Sequence, residues 1–166
     1  MDAALRGPGC GGDEVRALMR RRDVQDAVRS DGGFVVRCCR SGTETRMAER
    51  LAALLDGEYA GCVDVNGKHH QYWCSSRGWL ECVRVLVRTA GVDVNVKDSY
   101  GRTALHYAAT GGYVEVVREL IEVGGADVNA RDSYDDTPLD DAVTYKRDAV
   151  AAVLRAHGGQ KGQQRR

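Results

Sequence analysis

Aromatic residues are scarce in this 166-residue chain: they make up 6% of the sequence, and there is one Phe. A compact globular domain normally fills its core with more aromatic bulk than this. An elongated stack of short helices packed through Val, Leu and Ala does not need it. The composition therefore favours a thin, elongated architecture over a compact globule.

Excess charge of one sign is also absent, because 24 Lys and Arg balance 24 Asp and Glu. A neutral chain lacks the overall field that draws proteins to nucleic acid or to anionic membranes. Residues 1–12 lack the apolar core of a signal peptide, and no apolar run approaches the roughly 18 residues of a membrane span. These absences predict a cytoplasmic protein with neither a nucleic-acid nor a membrane partner.

Paired metal-binding or redox cysteine motifs are missing as well. None of the six cysteines belongs to a Cys-x-x-Cys pair, and Cys38 and Cys39 are adjacent. In a chain without a secretory signal, such cysteines are expected to be reduced thiols in an intracellular compartment.

What the chain does contain is an internal repeat. The tripeptide Asp-Ser-Tyr at residues 98–100 recurs at 132–134, and Asp-Val-Asn at 93–95 recurs with the same offset at 127–129. A period in the low thirties indicates small supersecondary units that stack on one another. Such stacks usually serve as binding surfaces and rarely as catalysts.

The clearest unit reads as a turn followed by two short helices. Gly101 predicts the turn, Thr103 predicts a helix N-cap, and glycines at 111–112 predict the end of that helix. A second helix is expected from Val114, with apolar residues on one face through Ile121.

Residues 101–109 (Gly-Arg-Thr-Ala-Leu-His-Tyr-Ala-Ala), followed by Glu-Val-Val at 115–117 and Ala-Asp-Val-Asn at 126–129, closely resemble the ankyrin repeat. Ala104 stands where the family usually has Pro, Tyr113 stands where it usually has His, and the second loop is one residue longer. The resemblance implies an all-α solenoid of about four helix-turn-helix repeats with a partial N-terminal cap.

Similar patterns extend the resemblance in both directions, with Pro138 suited to a first helical turn. At 68–73 the expected first helix of a repeat is aberrant, and its histidines are expected in an irregular, exposed loop. The predicted boundaries are a flexible N-terminus at 1–12, an ankyrin-repeat domain at 13–159 with repeats at 31–66, 67–97, 97–131 and 131–159, and a disordered basic tail at 160–166.

In ankyrin-type stacks the turns project as hairpin fingers, the first helices line a concave face, and partners dock on both. Carried over to this sequence, the resemblance implies exposed partner-binding positions, several of which are Tyr, Trp or Arg, types enriched at binding hot spots. These positions are Trp73, Arg77, Lys97, Ser99, Tyr100, Arg102, Tyr107, Thr110, Arg131, Ser133, Tyr134, Asp136, Asp141 and Tyr145.

Two features of this surface have alternative explanations. Tyr100 and Tyr134 either bind a partner or pack finger against finger. The aspartates near the C-terminal side either attract a basic partner or make turn hydrogen bonds, for which the resemblance implies Asp98 and Asp132.

Catalytic chemistry finds little support. His69, His70, Cys74 and Cys82 lack the paired spacing of structural zinc sites, and no phosphate loop or hydrolase motif is present. We therefore expect no enzyme activity, cofactor or metal. The resemblance gives His106 a structural role and makes Asn95 and Asn129 candidates for hydroxylation.

The expected function is a non-catalytic protein-interaction module, an adaptor or scaffold that is monomeric by itself. The alternative is a structural subunit of a larger assembly, anchored by its degenerate N-terminal repeats at 13–77.

Overall fold

The computed structural model describes residues 70–88 and 92–162. The predicted N-terminus at 1–12, the cap, the repeat at 31–66 and residues 163–166 lie outside this part, as does most of the N-terminal anchor proposed at 13–77. The described residues form six helices: α1 (His70–Arg77), α2 (Leu80–Arg88), α3 (Ala104–Gly111), α4 (Val114–Glu122), α5 (Pro138–Thr144) and α6 (Asp148–Ala156).

The six helices form three hairpins that stack side by side. Within each hairpin the two helices pack together, α1 on α2, α3 on α4 and α5 on α6. Between hairpins, α1, α3 and α5 form one row, here called the inner row, and α2, α4 and α6 form the outer row. The described residues contain no strand, so the prediction of an all-α repeat solenoid is confirmed.

Local chemistry accounts for where the helices begin and end. Thr103 and Thr137 are the N-caps of α3 and α5, and Pro138 occupies the first turn of α5. Gly112 ends α3 in the left-handed conformation, with φ of 82°, and its N–H bonds to the carbonyl of Ala108. The predicted turn, cap and stop signals therefore lie where the sequence indicates.

The core lies between the two rows and is built from aliphatic side chains of both. Leu86, Leu105, Leu120 and Leu154 are all buried. Alanines occupy the contacts between inner helices and allow them to approach closely. Cys74 and Cys82 are buried in this core, which confirms their prediction as small core residues.

An ion-pair cluster reinforces the contact between α2 and α4. The Glu119 carboxylate accepts hydrogen bonds from Arg84 Nε at 3.3 Å and Arg88 Nη2 at 3.4 Å. Since both arginines are substantially exposed, the cluster orients the outer row and adds little to the free energy of unfolding.

Two expectations need correction. The segment expected to be an irregular loop is helical from His70 onward, because Cys74 and its neighbours still place small residues against α3. The expected disordered tail is ordered through Gly162, since Gln160 N–H donates to Asn129 Oδ1 at 2.8 Å. No described helix is long and apolar enough to cross a membrane.

The buried leucines give a direct test of the packing. Leu120→Ala should lower the free energy of unfolding by about 3 kcal/mol, because it leaves a cavity between the rows. Val123→Ala, at a side chain that is 50% exposed three residues away, should change it by less than about 0.5 kcal/mol. Urea denaturation of both variants measures the difference, and equal effects would contradict this core.

Candidate functional site

Two hairpin fingers project from the start of the inner helices, at residues 97–102 and 131–136. In the first finger Asp98 Oδ1 accepts hydrogen bonds from the N–H groups of Tyr100 at 2.8 Å and Arg102 at 3.0 Å. Asp132 repeats this in the second finger with Tyr134 and Asp136. Each aspartate is therefore a turn residue, as the resemblance implied.

The fingers are also joined to each other. Ser133 N–H donates to the Tyr100 carbonyl at 2.9 Å, and Lys97 Nζ donates to the Arg131 carbonyl at 2.8 Å. A Cβ on Gly101 would lie 3.0 Å from Ser133 N. The close approach of the two fingers thus depends on glycine at 101, where φ is +72°.

The second finger replaces that glycine with Asp135, whose φ is +68°. Asp is among the few residues that tolerate the left-handed region. Its carboxylate pairs with Arg131 at 2.6 Å. This role of Asp135 was not predicted, although its place one period after Gly101 is a signal that could have identified it.

Arg102 connects the first finger to the next repeat. Its Nε donates to Asp132 Oδ2 at 3.2 Å, and its Nη2 donates to Asp141 Oδ1 at 2.7 Å. The guanidinium also lies 5.5 Å from the ring centre of Tyr107. With these partners Arg102 is half-buried and acts as a clamp between finger and helix.

Tyr107 continues this network towards α1. Its hydroxyl donates to Asp98 Oδ2 at 2.5 Å, and its ring meets Tyr72 edge-on with centroids 4.0 Å apart. Burial and the bond to Asp98 raise the pKa of Tyr107. Tyr72 was not among the predicted site residues, although it lies one period before His106 and so occupies the same place in its repeat.

His106 bridges repeats in the same way, as the resemblance implied. Its Nδ1 accepts from the Thr103 N–H at 3.1 Å. Because a backbone N–H can only donate, the imidazole proton is on Nε2, which donates to the Asp136 carbonyl at 3.2 Å. Burial lowers the pKa of His106, so the ring is neutral.

Apart from Trp73, the predicted binding residues divide by exposure into three groups: buried, half-buried and exposed. Asp141 is 4% exposed, so its predicted exposure is wrong; the Arg102 clamp draws it into the interior. Trp73 lies in α1, and its side chain is outside the description. Half-buried are Arg102, Tyr107, Thr110 and Asp136, and exposed are Arg77, Lys97, Ser99, Tyr100, Arg131, Ser133, Tyr134 and Tyr145.

The exposed group contains three tyrosines of the described part of the chain. Tyr134 is 74% exposed, Tyr100 is 54% exposed and Tyr145 is 50% exposed. Tyr100 and Tyr134 occupy equivalent places on adjacent fingers. Among the side chains that the structure describes, no group of His, Cys, Asp and Glu is arranged to hold a metal ion.

Asp141 is the most unusual ionisable group of this region. Its Oδ2 is buried without a hydrogen-bond partner. Burial raises the pKa of Asp141 to about 6, although the nearby Arg102 acts in the opposite direction. Repulsion from Asp132, Asp136 and Asp140 adds to the effect of burial.

This geometry predicts a pH dependence of stability. A raised pKa in the folded state means that folding favours protonated Asp141, so this contribution is complete below about pH 4 and is lost as the pH rises through 6. Between pH 4 and 7 the free energy of unfolding should fall by about 2 kcal/mol more in the wild type than in Asp141→Asn. Urea denaturation at several pH values measures this; parallel pH profiles would contradict it.

Comparison with known proteins is consistent with this geometry. A family model described as ankyrin repeats (3 copies) matches residues 35–132 and, in a second overlapping match, residues 73–165. No curated protein matches the chain. The matched residues span most of the sequence and include all three helical hairpins. The chain belongs to the ankyrin-repeat family.

Proposed function

We propose that this protein is a non-catalytic adaptor that binds another protein through its two fingers and the inner-row face beside them. Ankyrin repeats are generally protein–protein interaction modules and are typically non-catalytic. The adaptor role and the binding surface are specific to this proposal.

The exposed tyrosines of the two fingers carry the proposal. Tyr100 and Tyr134 present large amphipathic rings to solvent, while hydrogen bonds to Asp98 and Asp132 hold the backbone beneath them. A rigid aromatic side chain loses little conformational entropy on binding, which favours its use as an anchor. Packing of finger against finger is a weaker explanation, because both rings remain largely exposed.

The surroundings of the two rings extend the surface. Exposed Lys97, Ser99, Arg131 and Ser133 flank them and offer a polar rim of the kind that surrounds interface anchors. Arg102 and Tyr107, which are held by their hydrogen bonds, support this surface. Asp141 is buried and therefore cannot contact a partner directly. We place the protein in a reducing intracellular compartment, in line with a sequence whose six cysteines include no Cys-x-x-Cys pair.

The test is a double substitution at the fingers. Tyr100→Ala with Tyr134→Ala should leave the free energy of unfolding within about 1 kcal/mol of the wild type, because both side chains are exposed. The same change should weaken partner binding at least about tenfold, since hot-spot side chains contribute more than about 1 kcal/mol each.

The measurement is quantitative affinity capture with mass spectrometry, followed by titration of the captured partner. Val123→Ala removes an exposed apolar side chain from the end of α4 and should retain wild-type binding. Unchanged binding by the double variant would refute the finger surface.

A further inference from the structure

The chain turns back on itself after its last helix. α6 ends at Ala156, and residues 158–162, here called the strap, run alongside the second finger and the start of α5. Four hydrogen bonds to the last repeat fix the strap, and each involves its backbone.

The first two bonds copy a contact between the preceding repeats. There Asn95 Nδ2 donates to the Gly125 carbonyl at 3.4 Å, and Asn95 Oδ1 accepts from Asp127 N–H at 2.7 Å. One repeat later Asn129 Nδ2 donates to the Gly158 carbonyl at 3.2 Å, and Asn129 Oδ1 accepts from Gln160 N–H at 2.8 Å. The strap therefore begins along the path that leads into the finger of a following repeat.

The other two bonds are made at the N-terminus of α5. Thr137 Oγ1 lies 2.8 Å from the Gln160 carbonyl and 2.8 Å from Asp140 Oδ2, so its single proton is shared between these two acceptors. Gly162 N–H donates to Asp140 Oδ2 at 2.6 Å. Asp140 Oδ2 also accepts from Thr137 N–H at 3.0 Å, so the carboxylate caps α5 and holds the strap with one atom.

Asp140 accepts a hydrogen bond from the strap, whereas the equivalent residue of the preceding repeat donates one to the next finger. Asp140 lies one period after His106, whose Nε2 donates to the Asp136 carbonyl of the next finger. An ionised carboxylate can only accept. A further finger like 131–136 would bring a carbonyl towards Asp140, and two acceptors would then face each other. Asp140 therefore suits an approaching N–H and disfavours a standard finger.

The space around residue 162 admits only glycine. A Cβ at this position would collide with the Asp135 carbonyl oxygen and would lie 3.1 Å from Asp140 Oδ2. The backbone N–H reaches the carboxylate only because no side chain intervenes. Gln160, in contrast, is exposed and contributes its backbone alone to these bonds.

We propose that Asn129, Thr137 and Asp140 form a binding site for an extended polypeptide backbone whose last position is glycine, and that the strap is its intramolecular occupant. The occupied site closes the C-terminal edge of the stack. It stands in place of the next finger and makes addition of a further standard repeat unfavourable. It does not depend on the adaptor function proposed above.

Asp140→His tests the reversed polarity in the full chain. The introduced imidazole can cap α5 as His106 caps α3, because its Nδ1 can accept from Thr137 N–H. Its Nε2 then carries the proton and faces the Gly162 N–H, so two donors oppose each other. We expect amide exchange at Gln160 and Gly162 to accelerate about tenfold or more, while the amides of α4 remain protected. Asp140→Asn is the matched control, because it retains an acceptor oxygen, and should change these rates by less than about threefold.

Gly162→Ala provides a second test that leaves the cap intact. The added methyl group should displace the strap and accelerate exchange at Gln160 about tenfold. Gln160→Ala, two residues away, should leave exchange at 160 and 162 unchanged because it alters no backbone bond. Amide exchange followed by nuclear magnetic resonance measures all four variants.

Unchanged exchange at Gln160 in both Asp140→His and Gly162→Ala would overturn the proposal. The site could instead be filled by the strap of a second copy. Wild-type amide protection that rises with protein concentration, together with a dimer in light scattering, would show this and would contradict an intramolecular strap. We expect protection to be independent of concentration.

Discussion

The stack depends on side chains of one repeat that bond to the next repeat. Helices of seven to nine residues are unstable alone in water, because too few hydrogen bonds offset the ordering of the chain. Apolar packing between rows supplies most of the stability, but it is not directional. Register is set by polar contacts such as Arg102 with Asp132 and Asp141, which fit only one alignment of neighbouring repeats.

One position of the repeat makes its contact with different chemistry in each of the three described repeats. Tyr72, His106 and Asp140 follow one another at intervals of one period. Tyr72 packs its ring on Tyr107, His106 donates to a carbonyl, and Asp140 accepts an N–H from the strap. The contact changes from aromatic packing to a donor and then to an acceptor, and the acceptor is found where the described stack ends.

The hydrogen bonds that hold the stack together determine which polar side chains are left to bind a partner. Asp98, Asp132 and Asp140 use their carboxylates for turns and caps, so these three do not form a free acidic surface. The tyrosines at the finger tips have no comparable duty. The proposed interface therefore rests on Tyr100 and Tyr134 and on the polar side chains beside them.

The sequence predicted the features that depend on interactions between residues close together in the chain. The repeat period, the Thr103 cap and the glycine stops can be read from neighbours within a few positions or from the recurrence itself, and they were predicted. The turn role of the aspartates was implied by the family resemblance. The burial of Asp141 was not predicted, because it results from Arg102, which is 39 positions earlier in the chain. The ordered strap was missed for the same reason: its polar, glycine-rich composition is typical of a frayed end, and only its distant partners hold it.

We expect the bonds between repeats to make the described hairpins unfold together, and native-state hydrogen exchange of His106→Leu measures this cooperativity. This change leaves the Thr103 N–H without its partner and removes one of the two donors to the Asp136 carbonyl, which keeps the Asp132 N–H. We expect the opening free energies of α4 and α6 both to fall by about 2 kcal/mol. A fall confined to α4, with α6 unchanged, would contradict it.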